Sequence, residues 1–354
     1  MSLRQVYTVG MVGLFLVGMD GSLNGQLQEA PTRGAAAVRD RDLLVGSWSF
    51  TLPDSNAAWL KIDSVEGGNR KAEFLWSTGS PTQATTVAST RESLTFQRMI
   101  RWQVYGEVDQ AKVIREPMTV THRDGQLIWE VKQTLASDPQ EQESFQMIGH
   151  RIPEMPSRPN LAKVHFGEPV QVFNGKDLMG WRLSNPKKKN GWRVEDGLLI
   201  NDSTKIDFGA YGEQGNLRSD REFEDCRLSI DYNAPPKGNS GIFLRGLYEV
   251  QVVDRDSSMQ GIDGPGAIFG RIKPTANAGK VGGEWNHYEL TLVDRHVTVE
   301  LNGQVVIDNQ PVLGCTGGAL HSDDSKPGPI FLQGDHTAIQ YRNIIVRPVV
   351  PFAR

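Results

Sequence analysis

The sequence predicts an all-β protein built from two domains, and three observations favour this fold class. The chain has 354 residues, which is more than one ordinary domain needs. It contains 37 glycines and 19 prolines, a turn-rich composition that suits many short strands better than long helices. No helical spacing of apolar residues is sustained over about ten residues. Hydrophobic residues make up 38% and charged residues 23%, which excludes a disordered chain and a multi-span membrane protein.

The charge balance and the cysteine count exclude several further classes. Lysine and arginine number 38 against 42 aspartates and glutamates, a net charge of −4, so no basic excess is available for nucleic acid. The two cysteines, Cys226 and Cys315, are too few for a disulfide scaffold or a Cys-rich zinc site. They could pair with each other outside the cytosol or remain as free buried thiols.

The first 25 residues are typical of a secretory signal. Arg4 precedes a mostly apolar run over residues 6–19, and a small, polar stretch follows over residues 20–25. The run is short for a membrane span, so we expect a periplasmic or secreted protein with no span in the mature chain. A buried N-terminal helix and an uncleaved anchor are the alternatives. Residues 26–44 show no clear period and are interpreted as a linker.

Residues 45–153 are predicted to form a small antiparallel β domain. Short strand-like segments alternate with turn signals, and Arg123-Asp124-Gly125 predicts a tight hairpin between two of them. Four prolines then punctuate residues 152–169, and we interpret residues 154–169 as a Pro-rich linker.

Residues 170–349 are predicted to form a second β domain, in which the alternation of side chains is informative. Apolar residues take the even positions of residues 227–233, 242–245 and 248–253, and the opposite face carries the polar residues Arg227, Ser229, Asp231, Arg245, Glu249 and Gln251. Because successive side chains of a strand point to opposite faces, each strand has one core face and one polar face. If these strands are neighbours, one open sheet surface gathers Asp231, Arg245, Glu249 and Gln251. A merely solvated outer face is the alternative.

Several motifs of this second domain resemble one family. Residues 239–246 (NSGIFLRG) and 248–254 (YEVQVVD) closely resemble the signature of the 3-keto-disaccharide hydrolase domain family, also described as 3-keto-α-glucoside-1,2-lyase/3-keto-2-hydroxyglucal hydratase. The resemblance extends over residues 170–347. Other motifs that carry it are 173–178 (FNGKDL), 266–270 (GAIFG), 283–286 (GEWN), 328–336 (GPIFLQGDH) and 341–344 (YRNI).

The resemblance implies a concanavalin-like, glucanase-like jelly-roll sandwich with a sugar-sized groove on its concave sheet. The first half resembles the smaller lipocalin-like β domain that can precede this module, with Gly46-Ser47-Trp48 matching its Gly-x-Trp start. The first domain could extend the groove, mediate dimerisation or act as a spacer. The family's usual glycine after the histidine is Thr337 here, which puts the shape of that loop in doubt.

The resemblance also implies a chemistry, cleavage of an oxidised oligosaccharide or glycoside, that needs particular side chains. A ketone at C3 acidifies the C2 proton, and its removal allows the oxygen on C1 to leave. Such a route needs a base at C2, a group that stabilises the enolate and a proton source for the leaving oxygen. Glu249 is the first candidate base and His336 the second, while Arg245 could stabilise the enolate. The predicted hydroxyl-binding or supporting groups are Gln251, Asp254, Asn239 and Asp231.

Simpler interpretations of the same residues remain open. Glu249 and Arg245 could form a cross-strand ion pair. Asp254 could simply end a strand, Asn239 could serve a turn, and His336 could lie on the surface.

No cofactor is identified, although a divalent metal could be held by His287 and Glu289 together with Glu249 or His336; no spacing specific to zinc or calcium occurs. The alternative functions are a lectin-like binding module and an ordinary two-carboxylate glycoside hydrolase, in which Asp231 or Asp254 would be the second acid.

Overall fold

The computed structural model describes residues 5–8, 42–66, 69–103, 112–134, 142–204 and 213–350. Strands supply the regular structure of this part of the chain, apart from two single-turn 3-10 helices at Leu161–Lys163 and Gly261–Asp263. The predicted all-β fold class is therefore confirmed.

The first domain is one antiparallel sheet of ten strands, in the order β1-β7-β8-β9-β10-β2-β3-β4-β5, with β6 paired to β7. The sheet curls around a core of large aromatic side chains that includes Trp48, Phe74 and Trp129. Its strands are β1 (Gln5–Thr8), β2 (Gly46–Thr51), β3 (Ala57–Ser64), β4 (Arg70–Trp76), β5 (Thr82–Gln83), β6 (Thr85–Ser89), β7 (Ser93–Gln103), β8 (Lys112–Arg123), β9 (Gln126–Thr134) and β10 (Gln142–Ile152).

The hairpin predicted at Asp124-Gly125 joins β8 to β9. Both residues have positive φ, 51° and 80°, as a two-residue turn of this twist requires. The core also takes in Leu44, which the sequence analysis assigned to the linker. The lipocalin-like assignment of this domain stays a prediction.

The second domain is a sandwich of two antiparallel sheets. One sheet has eight strands in the order β13-β14-β23-β16-β19-β20-β21, with β11 on β23, and the other has five in the order β12-β15-β22-β17-β18. The strands are β11 (Val170–Gln171), β12 (Trp181–Leu183), β13 (Trp192–Glu195), β14 (Leu198–Thr204), β15 (Leu217–Phe223), β16 (Cys226–Asn233), β17 (Asn239–Leu244), β18 (Tyr248–Val253), β19 (Asn286–Val293), β20 (His296–Leu301), β21 (Gln304–Pro311), β22 (Gly328–Leu332) and β23 (Thr337–Pro348).

The predicted alternation builds the sandwich core. The even apolar residues of β16 on one sheet and those of β17 and β18 on the other are buried in the same hydrophobic cluster. Each strand therefore turns its odd positions away from the core, and for β17 and β18 these are the positions that form the site described below. Cys226 and Cys315 are free thiols inside this domain, and burial raises the pKa of each to about 12.

Strand β3 is buried on both faces, and this joins the two domains. Leu60 and Ile62 point into the core of the first domain, whereas Trp59 packs in the core of the second. The Arg271 guanidinium lies 4.3 Å from the centre of the Trp59 ring. The two domains thus share buried side chains instead of meeting through a tether alone.

The Pro-rich segment before the second domain is packed along that domain. Asn309 donates a hydrogen bond to the carbonyl oxygen of Pro159 at 2.9 Å, and Arg158 pairs with Asp308 at 3.0 Å. The Pro-rich segment is therefore held against the sandwich by a backbone contact and a side-chain contact.

Most of the predicted export segment lies outside the described residues. Within it the structure describes Gln5–Thr8, which pairs with β7 as a short strand. In the described ranges, no helix has the length and apolar character needed to cross a membrane.

Candidate active site

A cavity of about 490 Å³ lies on the face of the five-stranded sheet that is turned away from the sandwich core. Its floor comes from the odd positions of β17 and β18 and from residues that follow β22. Loops of both domains form its walls. The charged and polar residues of the floor and far wall include Glu249, Gln251, Asn239, Gln333, Asp335 and His336.

Glu249 is the most desolvated acid of this cavity. The residue is 4% exposed, and no donor among the described residues makes a hydrogen bond to its carboxylate. Burial raises the pKa of Glu249 well above its ordinary value, and the nearby charges of Asp335 and Asp263 raise it further. A carboxylate in this setting is a stronger base than one in water.

A glycine gives the Glu249 side chain its place. Gly241 lies directly opposite Gln251 in the β17–β18 pair. Glu249 is two residues before Gln251 on the same face of β18. A Cβ atom at Gly241 would stand 2.2 Å from Oε1 of Glu249. The carboxylate therefore leans over the bare backbone of Gly241, which only glycine permits here.

Asp335 and His336 form a hydrogen-bonded pair at the far wall. Nδ1 of His336 lies 2.8 Å from Oδ1 of Asp335. The Asn216 side chain accepts hydrogen bonds from the backbone N–H groups of Gly334 and Asp335, which fixes the loop. Thr337 anchors the same loop, because its hydroxyl accepts from the backbone N–H of Asn239 at 2.8 Å. The departure from the family's glycine at this position thus provides a contact between the loop and β17.

Carboxamide groups complete the floor. Oε1 of Gln251 accepts the backbone N–H of Val252 at 2.9 Å. Since a backbone N–H bonds to the oxygen of an amide, Nε2 is the end of Gln251 left for a ligand. Oε1 of Gln333 is buried without a hydrogen-bond partner in the structure.

Sequence reasoning missed several residues of this cavity. Asp335 stands in the quoted Gly-Asp-His motif, so its partnership with the histidine could have been proposed. Lys188 lies in a run of lysines that is typical of a solvated loop, yet it lines the cavity. The first domain supplies further wall residues for which the sequence carries no signal, among them Asp54, Asn56, Ser77 and Thr78.

The prediction that Arg245 faces the groove is wrong. Arg245 follows the last residue of β17 and has a φ of 57°, so strand alternation does not extend to it. Its guanidinium donates to the carbonyl oxygens of Asp324 at 2.9 Å and Lys326 at 3.0 Å. Arg245 is 2% exposed and holds the loop beside the β17–β18 turn.

Asp231 is also not at the site, because β16 belongs to the other sheet. Its carboxylate lies 2.7 Å from Nδ1 of His287 and 3.1 Å from Nε of Arg342. These contacts outweigh partial burial and hold the pKa of Asp231 below its ordinary value. The predicted common surface of Asp231, Glu249 and Gln251 therefore does not exist.

The candidate metal set is separated in the same way. His287 and Glu289 are neighbours at 3.4 Å, but both lie on the eight-stranded sheet, away from Glu249 and His336. Within the ranges that the structure describes, no three His, Cys, Asp or Glu side chains converge as a metal site would require.

Asp254 follows β18 and serves the backbone. Its carboxylate accepts the N–H groups of Lys237 and Asp256, the second at 2.8 Å. This matches the interpretation in which Asp254 ends a strand. The second acid of a two-carboxylate enzyme is therefore supplied neither by Asp254 nor by Asp231.

A second cavity, of about 740 Å³, lies between the domains near Arg151 and Arg295. Arg295 pairs with Asp324 at 2.9 Å, and Arg151 donates to the carbonyl oxygens of Leu43 and Val45. These cations are used in structural contacts, so the chemistry of the protein is better sought at Glu249.

Comparison with known proteins bears on the domain that carries this site. Residues 168–347, half of the chain, match the family model described as a 3-keto-alpha-glucoside-1,2-lyase-like domain. The chain belongs to this family. The matched residues include every strand of the five-stranded sheet and the Asp335–His336 loop. The second domain is thereby a carbohydrate-active domain of the glycosyl hydrolase type.

Individual relatives are distant. A 3-keto-disaccharide hydrolase of Bacteroides thetaiotaomicron is 23% identical over 166 residues, which cover 39% of this chain and 57% of the relative. A proposed glycosyl hydrolase of Parabacteroides distasonis, a solved structure, is 17% identical over 51% of this chain and 94% of its own, with a TM-score of 0.41. The glucanase SCLam of family GH16 is 12% identical over 55% of this chain and 93% of its own, with a TM-score of 0.33. At these TM-scores neither structure bears on the site.

Proposed function

We propose that the second domain cleaves 3-keto-glycosides by removing the C2 proton and eliminating the group on C1. The observation that carries this proposal is the buried carboxylate of Glu249, which lines one cavity with the Asp335–His336 pair and receives no hydrogen bond from the described residues. Family membership supports the same chemistry.

The proposed reaction balances as a net hydrolysis. A base takes the C2 proton, and the electron pair of that C–H bond forms an enolate with the C3 ketone. The enolate then expels the oxygen on C1, which leaves as an alcohol once it is protonated. Water adds across the resulting C1–C2 double bond, its oxygen going to C1 and a proton to C2, and gives the free 3-keto sugar.

Each role has a candidate among the residues of the cavity. Glu249 is the proposed base at C2, because burial and like charges raise its pKa towards the range in which a carboxylate removes protons effectively. Glu249, which holds the C2 proton after this step, is also the proposed acid at the leaving oxygen. His336, oriented through Nδ1 by Asp335, is the proposed donor to a hydroxyl of the 3-keto sugar on the side away from the departing group. Nε2 of Gln251 is the proposed hydrogen-bond donor to the enolate, in the place first assigned to Arg245.

The decisive experiment compares the 3-keto form and the unoxidised form of one glycoside. We expect turnover of the 3-keto form alone. Turnover of only the unoxidised sugar would favour a two-carboxylate hydrolase, in which Asp335 or Asp54 would be the second carboxyl group. Binding without turnover of either form would favour a lectin-like module.

Export is proposed separately and rests on the order of Arg4, the apolar run and the polar stretch in the first 25 residues. Mass spectrometry of the protein from the periplasmic or secreted fraction tests it, and we expect a mass that lacks the first 25 residues. An intact N-terminus on a cytoplasmic protein would contradict it.

A further inference from the structure

Part of the cavity wall comes from the first domain, outside the residues that match the family. Two turns contribute it, residues 52–56 between β2 and β3 and residues 77–79 after β4. Their cavity-lining side chains are all polar: Asp54, Asn56 and Thr78 are exposed, and Ser77 is half-buried. Carboxylates, carboxamides and hydroxyls are the groups that bind sugar hydroxyls.

The wall is fixed to the second domain. The carbonyl oxygen of Ser77 accepts the backbone N–H of Gly318 at 2.8 Å. The backbones of Gly79 and Gly317 approach so closely that a Cβ atom at Gly317 would stand 2.3 Å from the carbonyl oxygen of Gly79. Ser80 packs against Gly270, where a Cβ atom would stand 2.6 Å from the Ser80 hydroxyl oxygen. These contacts fix the turn at residues 77–79 against the loops that flank the five-stranded sheet.

This position is beside Glu249, at the end of the cavity opposite the histidine. The backbone N–H of Glu249 donates to the hydroxyl of Thr316, and its carbonyl oxygen accepts from Phe269. The loops that carry Thr316 and Phe269 continue into Gly317–Gly318 and Gly270, which the first-domain turn touches. His336 lies at the other end of the cavity, in the loop that follows the last residue of β22.

Beside Glu249 the floor is apolar, and Phe243 there lies close to Gly318, which the first-domain turn contacts. Phe243 pairs with Glu249 across β17 and β18, and with Phe331 across β17 and β22. The two phenyl rings lie 4.8 Å apart. An apolar floor edged by polar side chains suits a sugar ring, which has an apolar face and a rim of hydroxyls.

We propose that the first domain completes a second sugar-binding subsite, which holds the sugar that departs when the C1–O bond of a 3-keto disaccharide breaks. This inference rests on the proposed function for the identity of the first sugar. It assigns to the first domain the selection of disaccharides over glycosides with small leaving groups.

The test is a binding measurement on the Glu249→Gln protein, in which turnover does not interfere. Isothermal calorimetry gives the affinities for 3-keto-maltose and for methyl 3-keto-α-glucoside. We expect the disaccharide to bind more tightly. Adding Asn56→Ala and Thr78→Val should lower the ratio of the two affinities about tenfold, since a few hydrogen bonds are lost.

A matched control uses the same substitutions elsewhere on the first domain. Asn69 and Thr85 are exposed and do not line the cavity, so Asn69→Ala with Thr85→Val should leave the ratio unchanged. Equal affinities for the two ligands, or a ratio that survives the wall substitutions, would overturn the subsite. The unoxidised pair, maltose and methyl α-glucoside, separates the two proposals. If the wall variant loses the affinity ratio for this pair while the wild-type protein turns over no 3-keto sugar, the subsite is supported and the proposed reaction is overturned.

Discussion

At the scale of single residues, the chemistry depends on the carboxyl group of Glu249. We expect Glu249→Gln to lower the kcat for a 3-keto-glycoside by at least about 100-fold, because a carboxamide cannot accept the C2 proton. The circular dichroism spectrum should not change, since glutamine has nearly the same shape. Turnover within a few-fold of wild type would remove Glu249 from the mechanism.

The same substitution should alter stability in a pH-dependent way. Because burial raises the pKa of Glu249, the folded protein holds this proton more tightly than the unfolded chain does. The stability of the wild type therefore falls as pH rises from the ordinary pKa of a glutamate through the raised one. Glu249→Gln lacks the group, so its Tm relative to wild type should increase between pH 4 and pH 8. A Tm difference that is independent of pH would contradict a raised pKa.

Asp335 is expected to act on both of its neighbours. Its charge raises the pKa of Glu249, so Asp335→Asn should move the acidic limb of the kcat/KM profile to lower pH. The variant also loses the carboxylate that orients His336, so the plateau of the profile should fall by about 10- to 100-fold. A loss of activity without any movement of the acidic limb would indicate that Asp335 does not interact with Glu249.

At the scale of elements, the β17–β18 hairpin leaves a space above Gly241, and the Glu249 carboxylate occupies that space. We expect Gly241→Ala to reduce kcat/KM by about 100-fold, because the new methyl group would occupy the position of Oε1. The backbone of Gly241 does not require a left-handed conformation, so the fold should tolerate alanine. Combining Gly241→Ala with Glu249→Asp, whose side chain is shorter, should restore part of the lost activity relative to Gly241→Ala alone. Wild-type kinetics of Gly241→Ala would contradict this account.

The element scale also shows how far sequence reasoning reaches. Alternation assigned Glu249 and Gln251 correctly to one face, because period two is a local property of a strand. It failed for Asp231, because which sheet a strand joins depends on long-range pairing that no local pattern records. It failed for Arg245 because a left-handed residue at a hairpin turn interrupts the pleat. The contribution of the first domain to the cavity could not be predicted from the sequence, because it depends on how the two domains pack against each other.

At the scale of the whole molecule, strand β3 couples the two domains through opposite faces. Trp59→Ala should cost about 3–5 kcal/mol by opening a cavity in the second domain, and it should split thermal unfolding into two transitions. Leu60→Ala is the matched control, since Leu60 points into the core of the first domain. It should lower stability without detaching the domains. Calorimetry measures both outcomes, and a single transition for Trp59→Ala would contradict the coupling.

The burial of Trp59 also has an evolutionary consequence. The indole ring occupies space against Gly314, where a Cβ atom would stand 2.3 Å from the ring. Gly314 has a φ of 78°, a conformation that suits glycine. A lineage that lost the first domain would inherit an open hollow lined by this glycine and by the unstacked Arg271. We therefore expect homologues without that domain to have substituted both positions, and a phylogeny of the second domain should record the two replacements on the branch where the loss occurred.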